Sequence, residues 1–283
     1  MSSPTGTEIG LLDSLVLGVV EGMTEFLPVS STGHLTIAEK MLGLPIDDPG
    51  VTAYTAIIQV GAILAVVLYF RTDLWRLART WVRGLTDAGV RGTFDYRFAW
   101  FVIWGSLPIG VVGFLARDLI SGPLRNLWVV VAALIVWSAV MVVAERRGTQ
   151  DRGESQTTIT DALVIGFTQC IALVPGVSRS GATISAGLLL GLDRVAATRM
   201  SFFLSIPALV GAGIYQLKDA VDAQVPLGSL ALGTAVSFVV AYASVAWLLR
   251  FVAHHSIEVF VGYRVAVGVA VAIALTAGGL TAT

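Results

Sequence analysis

Long apolar stretches alternate with short polar ones along the whole chain. Six of the apolar windows approach or exceed the roughly 18–20 residues that a helix needs to cross the hydrocarbon core of a bilayer. These windows are Val51–Phe70, Phe98–Ala116, Leu127–Ala144, Phe202–Leu217, Leu227–Leu249 and Val259–Leu280. The pattern predicts an all-α membrane protein with six full transmembrane helices.

Two further apolar segments are interrupted by polar residues. The first, Leu11–Leu27, contains Glu21 and Glu25 and runs into a polar loop that begins at Pro28. The second segment breaks in the same manner at Pro175–Gly181. Each flank is about a dozen residues long, which is too short for a full crossing. We therefore predict two re-entrant helix hairpins, each of which enters and leaves on one side of the membrane.

The two interrupted segments are copies of one repeat. Shifting the chain by 148 residues aligns Asp13–Leu44 with Asp161–Leu192 without a gap, with eleven identities in thirty-two positions. Each copy continues into three predicted spans, and an odd number of crossings places the two copies in opposite orientations. We predict one membrane domain over residues 1–283, built from an inverted-topology repeat with residues 8–147 and 157–281 as its halves. The two loops then approach each other near the midplane.

Composition agrees with a membrane location, because 55% of the residues are hydrophobic, 13% are charged and the mean hydropathy is +0.82. Lys and Arg mark the cytoplasmic ends of membrane helices. Thirteen of them fall on one side of the predicted topology: Arg71, Arg76, Arg79, Arg83, Arg91, Arg97, Arg146, Arg147, Arg152, Arg194, Arg199, Arg250 and Arg264. The other side has Lys40, Arg117, Arg125 and Lys218. The bias predicts that the first set faces the cytoplasm.

The remaining basic residue, Arg179, lies in the second loop. Each loop leads into a new helix, and the free N–H groups of a helix N-terminus attract phosphate. Ser30 or Ser31 in the first loop and Ser178 in the second are candidates for the N-cap. The guanidinium of Arg179 can hold phosphate oxygens through two parallel hydrogen bonds. We predict further substrate contacts from the hydroxyl groups of Ser30, Thr32, Ser178, Ser180 and Thr183.

Two carboxylates and a histidine flank the first loop. Glu21 and Glu25 are four residues apart, so they lie on one face of a helix. Two carboxylates in apolar surroundings need a partner. A divalent cation is one interpretation, and Mg²⁺, or Ca²⁺ in its place, binds carboxylate and phosphate oxygens. A single carboxylate acting as a general base is another. His34 lies one turn into the next helix, where it can act as acid, base or nucleophile.

Both loops resemble the signatures of a known family. Glu21–His34, with the sequence EGMTEFLPVSSTGH, and Pro175–Thr183, with the sequence PGVSRSGAT, are similar to the two motifs of the bacterial undecaprenyl-diphosphatase family, known for bacitracin resistance. The resemblance covers essentially the whole chain. It implies a metal-dependent hydrolase that converts undecaprenyl pyrophosphate to the monophosphate carrier lipid of cell-wall synthesis. It also implies a bacterial cytoplasmic-membrane location, with the active site open toward the outer, periplasmic side.

The resemblance also implies roles for individual residues. Glu21 and Glu25 are expected to bind the metal ion, with Glu25 also catalytic, and Arg179 is expected to bind phosphate. Ser31 and His34 are expected near the reacting phosphorus, and the attacking group stays open among Ser31, His34 and water.

The sequence also limits the expected partners. Polyprenyl pyrophosphate and membrane lipids are expected, a nucleic acid is not, and a homodimer is left open. The alternative function is a lipid flippase or secondary transporter, since inverted repeats with broken helices also build transporters. The unequal chemistry of the two loops favours hydrolysis.

Overall fold

The computed structural model describes residues 9–46, 48–116, 119–120, 124, 126–222 and 226–282. Within these residues the regular structure is helical, apart from one isolated β-bridge between Arg152 and Leu192. The α-helices are α1 (Leu11–Thr24), α2 (Ser31–Met41), α3 (Pro49–Tyr69), α4 (Arg71–Thr86), α5 (Phe94–Leu115), α6 (Leu127–Arg147), α7 (Ile159–Gln169), α8 (Arg179–Leu189), α9 (Arg194–Asp222), α10 (Leu227–Val252) and α11 (Val259–Thr276).

In the described part of the chain, six helices are long and apolar enough to cross a membrane: α3, α5, α6, α9, α10 and α11. The prediction of an all-α membrane protein with six spans is confirmed. The fourth span differs from its prediction at the start, because α9 begins at Arg194 rather than near Phe202. The side chain of Asp193 accepts a hydrogen bond from the N–H of Ala196 at 2.7 Å, which adds a polar first turn that an apolar window omits.

The helix pairs α1–α2 and α7–α8 correspond to the two predicted hairpins. In each pair the second helix begins after a serine N-cap with positive φ, 79° at Ser30 and 77° at Ser178. These caps accept hydrogen bonds from the N–H groups of Gly33 and Gly181. Positive φ is strained for a serine, so the same strain at equivalent repeat positions is compatible with the predicted repeat. The inverted topology and the re-entrant depth stay predictions.

Each hairpin packs against a span from the other half of the chain. Helix α1 lies along α10, and α7 lies along α5. A Cβ atom on Gly18 would lie 2.7 Å from the carbonyl oxygen of Gly233, and one on Gly166 would lie 2.0 Å from that of Gly105. Gly18 and Gly166 are equivalent positions in the repeat, so the same residue type permits the same close crossing twice. Each half of the chain thereby positions the hairpin of the other half.

Ion pairs join the arginine-rich ends of the helices. The pairs are Arg194–Glu145, Arg199–Glu154, Arg199–Asp73 and Arg146–Glu258. They place α4, the end of α6, the start of α9 and the residue before α11 at one end of the bundle, as the basic bias predicts. Arg117, Arg125 and the side chain of Lys218 lie outside the described part.

The grouping of Arg264 with the basic residues of the cytoplasmic side is wrong. Arg264 lies within α11, and its side chain is fully buried. The physical reason is a set of internal hydrogen-bond acceptors, described below, that satisfies the guanidinium without water.

Replacing Gly166 by alanine is expected to destabilise the protein, because the new methyl group would collide with the backbone of α5. Overpacking of this kind costs roughly 1–3 kcal/mol. Gly110→Ala is the matched control, since Gly110 lies on α5 and has nothing within 4 Å of an added Cβ. Thermal unfolding of the purified proteins in detergent should give a lower Tm for Gly166→Ala alone. Equal Tm values for the two variants would contradict the close crossing.

Candidate functional site

The two loops are hydrogen-bonded to each other. The backbone N–H of Gly176 donates to Ser30 Oγ at 3.2 Å, and the hydroxyl of Ser180 donates to the carbonyl of Leu27 at 2.8 Å. Ser178 Oγ lies 3.1 Å from Ser180 Oγ and extends this chain of contacts. The structure therefore brings the two predicted loops into one site.

The buried carboxylate of Glu25 contacts one side chain from each loop. The guanidinium of Arg179 forms an ion pair with Oε1, and the hydroxyl of Ser31 donates to Oε2 at 2.5 Å. Ser31 and Arg179 are separated by 148 residues and so are equivalent positions in the repeat. Gln59 of α3 lies 3.4 Å from Oε1 and was not predicted. One carboxylate thus bridges a hydroxyl from one loop and a cation from the other, with the carboxylate placed to accept the hydroxyl proton.

Glu21 lies one turn before Glu25 and is 1% exposed. Neither of its carboxylate oxygens has a hydrogen-bond partner among the described residues. A buried carboxylate without a partner is costly, and this orphaned group fits the expectation of a divalent cation. In the described part, no group of three or more His, Cys, Asp or Glu side chains is arranged so that it could hold a metal ion. The other ligands of such an ion would have to be phosphate oxygens and water, which suits Mg²⁺.

Both ring nitrogens of His34 are engaged. Nδ1 lies 2.7 Å from the carbonyl oxygen of Ser30, and Nε2 lies 2.8 Å from the hydroxyl of Tyr263. The two rings stack, with centroids 5.5 Å apart. Because a carbonyl can only accept, Nδ1 carries the proton in the neutral ring and Nε2 accepts from Tyr263. The unprotonated Nε2 of His34 therefore faces the hydroxyl of Tyr263. Tyr263 was not predicted, since no local pattern links two residues so far apart in the chain.

Arg264 is the main residue that sequence reasoning missed. Its buried guanidinium donates to the carbonyls of Pro28 at 3.1 Å, Gly176 at 3.0 Å and Val177 at 3.1 Å. Nε donates to Ser138 Oγ at 3.1 Å. Pro28 and Gly176 are again equivalent positions in the repeat. An arginine within an apolar span is itself a signal of function, and the grouping of Arg264 with the cytoplasmic arginines concealed it.

The five residues predicted to bind substrate have different surroundings. The hydroxyl groups of Ser30, Ser178 and Ser180 contact the loops themselves, as described above. Thr183 is fully buried, and its hydroxyl lies 2.6 Å from Ser201 Oγ of α9. Thr32 is exposed at the start of α2. Of these residues, Thr32 has the hydroxyl most available to a ligand, and the others contribute by holding the loops.

The second loop lies close to one end of α6. A Cβ atom on Gly176 would lie 2.6 Å from the carbonyl oxygen of Val130, which is three residues after the first residue of α6, Leu127. At 1.5 Å per residue, this contact is only about 5 Å from the start of the helix. The basic residues Arg146 and Arg147 are at the opposite end. This contact therefore lies in the half of α6 that is farther from Arg146 and Arg147.

Comparison with known proteins adds independent observations. The family model described as Bacitracin resistance protein BacA matches residues 14–270, which include both loops and α11 up to Ala270. The chain is 56% identical to undecaprenyl-diphosphatase 3 of Frankia casuarinae, over 97% of this chain and 100% of the relative. It is 57% identical to undecaprenyl-diphosphatase 1 of Streptomyces coelicolor, over 92% and 94% of the two chains. It is also 57% identical to the undecaprenyl-diphosphatase of Acidothermus cellulolyticus, over 94% and 97%.

Replacing Arg264 by lysine is expected to loosen both loops, because a single ammonium group cannot reach the acceptors that the guanidinium joins. Each buried acceptor left without a partner costs about 1–3 kcal/mol. Arg250→Lys is the control, since Arg250 is exposed at the end of α10. Limited proteolysis and Tm measurements in detergent should show a less stable Arg264→Lys protein. If the Arg264→Lys variant were as stable as wild type, Arg264 would not be the residue that holds the two loops together.

Proposed function

The chain belongs to the bacitracin resistance protein BacA family, and we propose that it is an integral membrane phosphatase that hydrolyses undecaprenyl pyrophosphate to undecaprenyl phosphate and inorganic phosphate. The full-length similarity to three undecaprenyl-diphosphatases supports this reaction. Its product is the carrier lipid of cell-wall synthesis, and its activity contributes to bacitracin resistance. The observation that carries the proposal is the contact of Ser31 and Arg179 with one carboxylate, Glu25.

Ser31 is the proposed nucleophile. As its Oγ forms a bond to the terminal phosphorus, its proton passes to Glu25, and the bond from that phosphorus to the bridging oxygen breaks. Undecaprenyl phosphate leaves with the bonding electrons. Water then cleaves the phosphoserine ester, Glu25 returns its proton to the departing Oγ of Ser31, and inorganic phosphate is released. His34 is the proposed acceptor of a proton from that water through Tyr263, whose hydroxyl passes its own proton to the unprotonated Nε2 as it takes one from the water.

Arg179 and the two helix N-termini are proposed to bind the pyrophosphate. A guanidinium has five N–H donors, so Arg179 can keep its contact with Glu25 and still donate to phosphate oxygens. The caps at Ser30 and Ser178 start α2 and α8 at the loops, where their first-turn N–H groups can bind an anion. Phosphoryl transfer depends mainly on such positioning and charge stabilisation.

Glu21 and Glu25 are the proposed ligands of a divalent cation, with Mg²⁺ favoured and Ca²⁺ as the alternative. When bound there, the ion would offset the negative charge of the pyrophosphate oxygens. The unpartnered oxygens of Glu21 support this assignment.

The protein is a multi-pass membrane protein, and we place it in the bacterial cytoplasmic membrane with the site facing the outer side. Two observations support that orientation. The basic bias persists after Arg264 is removed from the cytoplasmic set, and the second loop lies near the arginine-poor end of α6. A flippase or transporter is not favoured, because the relatives are named as diphosphatases and the loops carry a hydroxyl, a base and a cation in one place.

Ser31→Ala is expected to lower phosphate release by about 100-fold or more, because both nucleophile and proton donor are lost. Wild type mixed with polyprenyl pyrophosphate carrying a labelled terminal phosphate is quenched rapidly in acid, which preserves phosphoserine, and in parallel in alkali, which preserves phosphohistidine. Acid-stable label should be found on Ser31. Thr32→Ala is the matched control, since it removes a neighbouring hydroxyl and should still be labelled. Label on His34, or a rapid first turnover without any labelled protein, would contradict attack by Ser31.

Removal of divalent cations with EDTA is expected to abolish phosphate release, and added Mg²⁺ should restore it. Glu21→Gln should raise the Mg²⁺ concentration that gives half-maximal activity by about tenfold or more. Glu258→Gln is the control, because Glu258 pairs with Arg146 at the arginine-rich end. Full activity in EDTA, or the same Mg²⁺ dependence in both variants, would exclude the proposed ion site.

A further inference from the structure

Helix α4 has two apolar faces, and one of them packs on the protein. The packed face consists of Leu74, Leu77, Trp81 and Gly84, which recur at the three- and four-residue spacing of one helix face. These residues are buried or half-buried. The ring of Trp81 lies 5.6 Å from that of Trp100 on α5, and an added Cβ on Gly84 would touch the ring of Tyr96.

The second apolar face is exposed. It consists of Trp75, Ala78, Val82 and Leu85, which share the same helical spacing. The exposed fractions are 71% for Trp75, 57% for Val82 and 48% for Leu85. An aromatic and two large aliphatic side chains aligned on one face in this way are unfavourable in water and mark a contact surface.

The third face of α4 is basic. It includes Arg76, Arg79 and Arg83, all of which are exposed. Arg76 pairs with Asp73 and Asp95, and Arg83 lies 3.9 Å from Asp87. Within the described residues Arg79 forms no ion pair. The face therefore keeps positive charge, and it borders the exposed apolar face.

The position of α4 is fixed by membrane helices. Phe70 ends α3 and immediately precedes α4, so α4 starts where a span stops. Its packed face meets Tyr96 and Trp100 in the first two turns of α5. Its Asp73 meets Arg199 near the start of α9. Three spans therefore hold α4 at the level where they enter the membrane.

We propose that α4 is an interfacial helix that binds anionic lipid headgroups. Trp75, Val82 and Leu85 insert among the upper acyl-chain segments, and Arg79 and Arg83 contact phosphate-bearing headgroups. A large polar–apolar asymmetry with arginines beside an aromatic and aliphatic face is the pattern of helices that lie in the bilayer interface. Positive charge near the surface adds a preference for anionic over zwitterionic lipids. The attachment to α3 keeps this face at the lipid surface without any partner protein.

The depth of the helix can be measured by spin labelling of the full-length protein. Cys170 is the only cysteine, so a Cys170→Ala background accepts single labels through Val82→Cys, Arg79→Cys and Ala88→Cys. The probe is a vesicle of phosphatidylcholine and phosphatidylglycerol. The label at Val82→Cys should be relaxed by oxygen, which partitions into hydrocarbon, and those at Arg79→Cys and Ala88→Cys by a water-soluble nickel chelate.

Two results would overturn the interfacial position. One is a label at Val82→Cys as accessible to the nickel chelate as the label at Ala88→Cys, which lies beyond the helix. The other is spin–spin broadening at Val82→Cys with little oxygen relaxation, which would mean that a second copy of the chain covers the face.

Headgroup preference is tested by the fraction of spin-labelled lipid that the protein immobilises. Wild type should immobilise phosphatidylglycerol more than phosphatidylcholine. Combined Arg79→Gln and Arg83→Gln substitutions should lower that ratio several-fold, since one surface arginine contributes up to about fivefold. Arg147→Gln with Arg250→Gln removes the same charge from exposed positions on other helices and should leave most of the preference. Equal losses in the two double variants would overturn binding of anionic lipid by α4.

Discussion

Irregular backbone in an apolar interior must find its hydrogen bonds within the protein, and this constraint governs the centre of the molecule. Two loops break their helices beside six spans, so their carbonyl and N–H groups need internal partners. Arg264 supplies donors to Pro28 in one loop and to Gly176 and Val177 in the other. Ser30 and Ser180 form two further bonds between the loops. The groups that satisfy one loop therefore fix its position against the other.

The meeting of both loops on the same side chains also explains how a repeat forms an asymmetric site. Glu25 and Arg264 are single side chains rather than a repeated pair, and each one binds equivalent positions of both loops. Arg264 binds backbone carbonyls, which do not depend on side-chain identity, so the scaffold stays symmetric. Glu25 binds side chains, and there the copies differ, with Ser31 in one loop and Arg179 in the other. A shared turn geometry thus places the proposed nucleophile, Ser31, and the proposed phosphate-binding cation, Arg179, on opposite oxygens of one carboxylate.

Much of the fold follows from local physics of the sequence. Apolar length predicts the six spans, and candidate serine caps predict the helix starts, at Ser30 or Ser31 in the first loop and at Ser178 in the second. Arg264 was misassigned because it was counted with the basic residues at the cytoplasmic ends of the helices, although it lies inside the predicted window Val259–Leu280 and five residues into α11. The partnerships of His34 with Tyr263 and of Glu25 with Gln59 were not predictable, because they join residues distant in the chain and follow no periodic pattern. The role of Thr183 was also beyond local reasoning, since helix packing directs its hydroxyl to Ser201.

The most direct test of one shared site is a double-mutant cycle on phosphate release by the purified protein, using Glu25→Gln, Arg179→Gln and their combination. Residues that act as one unit lose function together, so the double variant should be no slower than the slower single variant. Each variant is first checked for wild-type Tm, so that a loss of rate is not a loss of fold. Rate losses that multiply in the double variant, or wild-type release by either single variant, would show that the two loops do not form one catalytic centre.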